Sequence, residues 1–286
     1  MKNEKVQELY ERLVSGVAQV YDSATWKEVL AVQSRFHNYS FNNTFLIWLQ
    51  MPTATRVAGF HTWKELGRHV KKGEKALKIF APLIKTVTVE ENEEDGAEQP
   101  VTRQRLCGFR VVNVFDVSQT EGKPLPSLTE ELTGNSEVAA KLLEALQHVI
   151  DVPVSFAETG KAKGYYDPSA HRIVIKPGMA TDQTAKTLIH EYVHSLLHHK
   201  DSDRKEKRRS QVEAEAEGTA YVVANYFGLD TSDYSFGYVA SWAHEENGVE
   251  LVQKVGTTIQ QTANTIITAL EAQLKRQCSG QVAQGA

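Results

Sequence analysis

Cysteine is scarce in this chain, with Cys107 and Cys278 as the only two among 286 residues. Neither has a cysteine partner nearby in sequence, which argues against a disulfide-stabilised secreted fold and against a cysteine-ligated zinc site. No apolar run approaches the roughly 18 residues that a membrane-spanning helix requires. The charged, amphipathic start at residues 1–13 lacks the apolar core of a signal peptide. We therefore expect a cytoplasmic protein without a membrane partner.

Net charge is also low, at −4, but the charges are unevenly distributed. Between residues 56 and 85, eight cations stand against two carboxylates, whereas residues 90–99 are strongly acidic. The overall balance therefore hides a basic segment. Its cations are Arg56, Lys64, Arg68, Lys71, Lys72, Lys75, Lys78 and Lys85.

The N-terminal half contains helical patterns followed by extended ones. Apolar residues recur at helical spacing from about residue 4 to residue 34. The predicted elements that follow are a helix at 40–51 capped by Asn42 or Asn43, a short helix at 62–70, and strands at 76–90 and 103–120. The acidic segment between these strands has the composition of a hairpin tip or a mobile loop.

A segment with two prolines, EGKPLPSLTEE at 121–131, is the best candidate for a linker. It suggests two domains, at 1–122 and 123–286. The predicted elements beyond it are a helix at 136–150, strands at 152–158 and 171–177 separated by a turn at 164–170, and helices at about 181–200, 212–229 and 248–277. The apolar stripe of the last helix indicates ordinary packing, with a coiled-coil partner as the alternative.

The pattern His-Glu-x-x-His at residues 190–194 lies inside one of these predicted helices. Positions four apart share one helix face, so His190 and His194 can direct two imidazoles at one point. Glu191 projects about 100° round the helix from His190, beside that point. Two nitrogen ligands, and a carboxylate that can take a proton from a metal-bound water, are what a zinc peptidase needs.

A third protein ligand is expected from the next helix, which offers Glu213, Glu215 and Glu217. Helical spacing places Glu215 on a mostly apolar face, so we predict that it points inward and completes a zinc site. Glu213 and Glu217 share another face and are expected to be solvated, with Glu217 as an alternative support for the site. The alternative for Glu215 is capping or ion pairing with the basic loop at 201–211. Manganese or another divalent ion is the alternative to zinc.

A His₂Glu site with an open position is a catalytic arrangement rather than a structural one. We therefore predict that Glu191 accepts the proton of a water that attacks an amide carbonyl, and passes it to the leaving amine. The strand at 171–177 is expected to present its edge to an extended peptide. Candidates for stabilising the oxyanion, each with a structural role as the alternative, are His171, Tyr165, Tyr166 and Tyr221.

His198 lies on the same stripe as His194 and could extend the motif. The long zincin signature requires Gly at position 197 and His at position 200, where this chain has Leu197 and Lys200. That signature is therefore excluded. We expect His198 to lie at the helix end, where a histidine interacts favourably with the helix dipole.

The basic segment is interleaved with aromatic residues, as in proteins that bind single-stranded nucleic acids. We predict that Trp63 provides a stacking surface and that neighbouring cations contact phosphates. The alternative is a solvated cationic face without a ligand. The predicted DNA-binding residues are Trp63, Lys64, Arg68, Lys71, Lys72, Lys75 and Lys78.

These segments together carry a family resemblance. NYSFNNTFLIWLQ at 38–50 and TWKELGRHVKKGEKALKIFAP at 62–82 resemble the N-terminal domain of ArdC-type antirestriction proteins. YYDPSAHRIVIKP, LIHEYVHSLLHH and VEAEAEGTAYVVANYFGLD resemble the zinc-peptidase-like domain of those proteins, which is related to the ImmA/IrrE metallopeptidases. The resemblance covers about residues 32–230. It departs from the family at Ser40, Phe41 and Asn42, where a Tyr-x-Gly-Ile-Asn-like stretch is typical.

The resemblance implies an N-terminal domain that binds single-stranded DNA. It implies metal ligands at His190, His194 and Glu215, with Glu191 as the catalytic glutamate. It also implies a role on mobile genetic elements, in the protection of incoming plasmid or transposon DNA during conjugation. The protein substrate is not specified.

We therefore expect an α+β protein with N-terminal helices and a small antiparallel sheet, followed by a zincin-like metallopeptidase domain that ends in a helix. The expected function is single-stranded-DNA binding joined to zinc-dependent peptide hydrolysis. One alternative is a DNA-binding protein whose peptidase fold is not catalytic. Another is a peptidase that cleaves a regulatory repressor, as ImmA/IrrE relatives do.

Overall fold

Three helices open the chain in the computed structural model, which describes residues 2–92, 98–125, 135–242 and 245–284. They are α1 (Lys2–Val17), α2 (Ser23–Arg35) and α3 (Phe41–Gln50). The helical pattern predicted over about 4–34 is therefore divided between two helices. Asp22 accepts the Thr25 backbone N–H at 2.9 Å and begins a new helix, as an N-cap residue does.

Helix α3 is capped two or three residues earlier than predicted. Ser40, rather than Asn42 or Asn43, is its N-cap residue and accepts the Asn43 backbone N–H. The Asn43 side chain instead bonds to the backbone N–H and C=O of Phe80, at 2.8 and 2.9 Å. Helix α3 is thereby fastened to the adjacent strand.

A long hairpin dominates the N-terminal sheet, as predicted. Its strands, β3 and β4, pair antiparallel over almost their whole length, with an irregularity between Pro82 and Ile84. The hairpin tip at 93–97 lies outside the described residues. The elements of this region are β1 (Val57–Ala58), α4 (Phe60–Glu65), β2 (Arg68–Val70), β3 (Leu77–Asn92), β4 (Glu98–Asp116), a 3₁₀ turn (Val117–Gln119) and β5 (Thr120–Gly122).

The short helix predicted over 62–70 ends earlier than expected. Gly67 adopts a positive φ of 73° and terminates α4, a conformation that favours glycine. The chain then forms β2, which pairs antiparallel with β5. Strand β4 lies between β1 and β3.

The second half surrounds a three-stranded sheet with helices. Residues 164–167 form a strand, so the turn predicted over 164–170 is only partly correct. Most of the predicted linker, residues 126–131, lies outside the described residues. The elements are α5 (Asn135–Val149), β6 (Val154–Phe156), β7 (Gly164–Asp167), β8 (Arg172–Ile175), α6 (Thr181–Leu197), a 3₁₀ turn (Asp203–Glu206), α7 (Arg209–Tyr226), α8 (Val239–Trp242) and α9 (Gly248–Gln284).

Helices from both halves share one hydrophobic core, and the predicted α+β class is confirmed. Gln33 of α2 donates from Nε2 to the Gly256 carbonyl of α9 at 2.9 Å, within that core. Asn225 of α7 donates from Nδ2 to the Ser34 hydroxyl at 2.7 Å. A Cβ at Gly256 would overlap the Phe41 ring, so α9 and α3 approach closely. Helix α9 therefore holds the N-terminal helices against the second half.

The apolar stripe of α9 is packing surface, as predicted. Its residues are buried in the shared core: Val252, Val255, Ile259, Ile266 and Leu270. A smaller second core lies between α2, α3 and the inner part of the N-terminal sheet. No helix in the described part of the chain is long and apolar enough to cross a membrane.

Candidate functional site

The two histidines of the His-Glu-x-x-His pattern meet on one face of α6. Their Nε2 atoms lie 3.1 Å apart. Burial lowers the pKa of His190 to about 4 and that of His194 to about 2, so both rings are neutral at pH 7. A neutral imidazole nitrogen is the form that ligates a metal ion.

Helix α7 brings Glu213 to the histidine pair. Its Oε2 lies 3.8 Å from the Nε2 of His190 and 3.9 Å from the Nε2 of His194. Two atoms that each lie about 2.1 Å from one tetrahedral ion are roughly 3.4 Å apart. The three separations bracket that value, so the donor set fits a divalent metal ion. Within the described residues, this is the one group of histidine, cysteine or carboxylate donors close enough to hold one.

Glu215 is oriented inward, as expected, but it does not reach the histidine pair. Its carboxylate is 0% exposed and accepts from His198 Nε2 at 2.9 Å, Lys207 Nζ at 3.0 Å and Gln211 Nε2 at 3.1 Å. The prediction that Glu215 is the third ligand therefore does not match this geometry, in which Glu213 takes that position. Glu215 instead makes the ion pair with the basic loop that was its alternative role.

Glu213 rather than Glu215 lies next to the histidine pair because the buried face of α7 is not the face that points towards the metal site. Glu213 keeps 42% of its side chain exposed and lies at the rim of the site. Apolar spacing on α7 identifies the side that is buried, but the burial of Glu215 is against the end of α6 and Lys207. Burial raises the pKa of Glu215, but the three donors outweigh it and the net pKa is lowered.

His198 links the metal site to Glu215, a role that its predicted position at the helix end did not suggest. It does terminate α6, but it is buried rather than solvated. Its Nδ1 lies 2.9 Å from Nδ1 of His194, and its Nε2 donates to Glu215. The repeated four-residue spacing of His190, His194 and His198 was the sequence signal for this row.

The row connects the hydrogen positions of His194 and His198 to the Glu215 carboxylate. The Glu215 carboxylate can only accept, so Nε2 of His198 is the protonated nitrogen of that ring. Ligation of a metal ion through Nε2 of His194 requires the hydrogen of that ring to be on Nδ1, which lies 2.9 Å from Nδ1 of His198. The Nε2 lone pair of His194 is left facing His190 and Glu213, as metal ligation requires.

Glu191 lies beside the histidine pair and against the edge of the sheet. Burial, assisted by the Glu213 carboxylate, raises its pKa to about 7 although the Tyr166 backbone N–H opposes the shift by donating to it. A carboxyl group with this pKa can both accept and release a proton near neutrality. The position and pKa of Glu191 are therefore suited to general base and acid chemistry.

The strand edge next to Glu191 belongs to β7. The order β6-β8-β7 makes β8, residues 172–175, the central strand. The expectation that 171–177 offers a free edge is therefore wrong, because both sides of β8 are paired. The Tyr166 N–H points at Glu191 rather than at β8, so the open edge of β7 faces the carboxylate.

A cleft of about 340 Å³ extends from His190 and Glu191 along α6. Sequence reasoning missed most of its lining residues. Lys186, one turn before His190, is buried and bonds to Asp233 at 3.0 Å and to the Asp230 carbonyl at 3.0 Å. Burial and the neighbouring carboxylates raise the pKa of Glu217 to about 7. Asp233 lies in a loop without a motif, so no local pattern could have identified it.

Three predicted DNA-binding residues are engaged inside the N-terminal fold. Trp63 is 2% exposed and donates from Nε1 to the Phe115 carbonyl at 2.9 Å. Its burial removes it as a stacking surface, which corrects that expectation. Arg68 donates to Thr120 Oγ1 and the Lys123 carbonyl, and Lys71 donates to the Ser118 carbonyl.

Four other cations of the predicted set are at the surface. They are Lys64, Lys72, Lys75 and Lys78. Near them, Phe60 is the exposed aromatic ring, packed edge-on against His61. The loop at Gly73 and Lys75 borders a shallow cavity that also includes Arg12 of α1. The basic segment therefore presents cations, but its tryptophan belongs to the fold.

Two family models match the chain in sequence. The model for the N-terminal domain of anti-restriction factor ArdC matches residues 3–115. The model for the IrrE N-terminal-like domain, a peptidase family, matches residues 148–266. The order and extent of the two matches follow the two halves of the chain.

Individual relatives share about a quarter of their residues or fewer with this chain. An uncharacterized protein of Bacillus anthracis is 27% identical across 95% of this chain, and the chain spans about half, 52%, of that relative's length. The metal-free crystal structure of antirestriction ArdC from plasmid R388 is 21% identical, with a TM-score of 0.49, over 82% of this chain and 85% of that one. The Mn(II)-bound structure is 20% identical, with a TM-score of 0.48, over 86% and 97%.

Proposed function

Because the chain belongs to the ArdC-type antirestriction proteins, we propose that its N-terminal domain binds single-stranded DNA and that its second half is a metal-dependent peptidase. The observation that carries the peptidase proposal is the convergence of His190, His194 and Glu213 beside a buried Glu191. The domain boundary near residue 122 is part of the same proposal.

The chemistry assigned to this centre divides between the metal and the chain. His190, His194 and Glu213 would hold a divalent ion, which would supply Lewis acidity and lower the pKa of water. Zinc is the proposed ion, and manganese is the alternative that the same nitrogen and oxygen donors accept. Glu191 takes the proton on its carboxylate and delivers it to the departing amine.

Peptide binding is assigned to the open edge of β7. An extended peptide can add to that edge by main-chain hydrogen bonds, which places its carbonyl groups along Glu191. Gly164 of β7 supports this arrangement, because a Cβ there would collide with Thr187 of α6 and with Ile175. Strand and helix can therefore approach closely only with glycine at this position.

A Glu191→Gln variant tests the peptidase proposal. We expect it to retain zinc, measured by elemental analysis, and to lose at least about 100-fold in the cleavage rate of a fluorogenic peptide library, because its amide cannot accept a proton. Glu206→Gln, an exposed change of the same charge, is the matched control. Unchanged cleavage in Glu191→Gln would contradict the assigned role. Failure of the zinc-loaded wild type to cleave any peptide would favour the non-catalytic alternative.

Salt dependence tests the DNA proposal. Binding to a labelled oligo-dT strand, followed by fluorescence anisotropy, should weaken steeply with salt because each phosphate contact releases a counterion. A duplex of equal length is the control. Equal affinity for both, or binding that salt does not affect, would contradict single-strand recognition.

A further inference from the structure

The outer part of the β3–β4 hairpin is exposed on both faces. We call residues 81–87 and 102–110 the ribbon stem. Beyond Pro82 and Phe109 almost all of its side chains are exposed, unlike the inner hairpin, where Leu77 and Ile79 are buried. The stem has four cations and no carboxylate: Lys85, Arg103, Arg105 and Arg110.

Strand register places these cations together. Paired residues of an antiparallel ladder share a face, and alternate residues of one strand share it as well. Lys85 pairs with Arg105, and Ala81 pairs with Arg110. Residues 81 and 85 are both odd-numbered positions of β3, so these cations lie on one face. Within the described residues, no ion pair engages Lys85, Arg105 or Arg110.

The opposite face of the stem carries an apolar patch. Ile84 pairs with Leu106, and Pro82 pairs with Phe109. The rings of Phe109 and Phe80 pack edge to face, with their centroids 6.3 Å apart. Ile84, Leu106 and Phe109 are each about half exposed. The irregularity between Pro82 and Ile84, where Gly108 has a φ of 138°, lies between the two apolar pairs.

One edge of the stem is open. Among the described residues, strand β4 pairs with β1 only at Phe115 and Asp116, so its outer edge has no strand partner there along the stem. Along this edge Arg103, Arg105 and Arg110 lie on one face, and Gln104, Leu106 and Phe109 lie on the other. A chain that crosses the edge meets cations on one side and apolar groups on the other.

From this arrangement we propose that the ribbon stem is the surface on which the N-terminal domain holds single-stranded DNA. The inference rests on the proposed function and adds the location of the DNA-binding surface. Cations match the phosphates, and unpaired bases present apolar ring faces that a duplex hides.

The test compares three triple variants of the full chain. The stem variant is Lys85→Gln, Arg105→Gln and Arg110→Gln. The basic-segment variant is Lys64→Gln, Lys72→Gln and Lys75→Gln. The control is Lys161→Gln, Lys200→Gln and Lys205→Gln, which removes the same charge from exposed positions of the second half.

We expect the stem variant to weaken oligo-dT binding at least about tenfold at 0.1 M salt and to flatten the logarithmic salt slope by about 2, for three lost phosphate contacts. The other two variants should keep the wild-type slope. A single Phe109→Ser change should also weaken binding about tenfold, through lost stacking. Circular dichroism melts should be unchanged, because these side chains are exposed.

Two results would overturn the location. One is a stem variant that binds like wild type while the basic-segment variant loses affinity. The other is duplex DNA that competes as well as the single strand, which would make the stem a general phosphate-binding surface. If the wild type itself does not bind oligo-dT, the proposed DNA function fails, and this outcome is distinct from the other two.

Discussion

The proposed metal centre on α6 and α7 and the ribbon stem on β3 and β4 use charged side chains in opposite ways. At the centre, the buried Glu215 carboxylate accepts hydrogen bonds from three side chains, those of His198, Lys207 and Gln211. On the stem, Lys85 and Arg105 extend into solvent from a two-stranded ribbon. A buried charge must be paired, whereas an exposed cation needs no partner.

This difference determines what each region can do. A metal site needs ligand atoms placed within tenths of an ångström, so its supporting hydrogen bonds are part of the site. A surface for a flexible, charged polymer gains from cations that can adjust to the phosphates. Substitutions of the buried supporting groups at the centre should therefore affect folding and metal binding together, whereas substitutions on the stem should affect ligand affinity alone.

The strongest test of this comparison is to replace each of the two glutamates of α7, Glu213 and Glu215, with glutamine in turn. We expect Glu215→Gln to lower the free energy of unfolding by about 2–3 kcal/mol, because Lys207 keeps only the half-exposed Asp203 as its carboxylate partner and His198 loses its buried anionic acceptor. It should also weaken zinc binding about 10- to 100-fold through the misoriented His194 ring. Urea unfolding and competition with a zinc chelator measure the two effects.

Glu213→Gln is the matched variant. It should lose zinc more completely than Glu215→Gln, yet unfold at nearly the wild-type urea concentration in the metal-free state, because its side chain is 42% exposed. If Glu215→Gln abolished zinc binding and Glu213→Gln did not, the original prediction from helical spacing would be correct. The geometry would then misassign the third ligand.

The contact between α9 and α3 tests whether the two halves fold together. Gly256→Val should cost about 2–3 kcal/mol, because the new side chain overlaps Phe41 in the shared core. Lys254→Val, at an exposed position of the same helix, is the control. We expect a single transition by calorimetry in all three proteins. Two separate transitions in the wild type would favour domains that unfold independently.

Substitution of Asp116, in the N-terminal sheet, should have a smaller effect on the free energy of unfolding. Burial raises its pKa, but the N–H donors of Ser118, Thr55 and Arg56 outweigh burial and lower it below 3.8. Asp116→Asn should cost about 1–2 kcal/mol, since its amide cannot accept all of these bonds.

The pH dependence of this effect follows from the direction of the pKa shift. A carboxyl with a lowered folded-state pKa contributes stability that is fully present above its unfolded value and is lost as the pH falls through the folded one. The difference between wild type and Asp116→Asn should therefore be constant from pH 5 to 7 and shrink below about pH 4. Urea unfolding across this range is the measurement, and a gap that widens in acid would contradict the assignment.

Local patterns predicted the elements better than their contacts. The hairpin, the helix with His190 and His194, and the buried stripe of α9 all follow from short-range periodicity. The break at Asp22 and the strand at Gly164 were missed, because a capping contact and a strand pairing interrupted patterns that looked continuous. Trp63 was misjudged for a related reason: an aromatic among lysines does not indicate whether its ring faces solvent.

The sequence by itself determined the histidine pair and Glu191, because residues four apart on a helix share a face whatever surrounds them. It also determined that Glu213 and Glu215 point in different directions, roughly 200° apart on α7. Only the tertiary structure decided which of the two meets the histidines. That choice depends on how α7 crosses α6, and the crossing is decided by buried surfaces distant in sequence, including the close packing of α9.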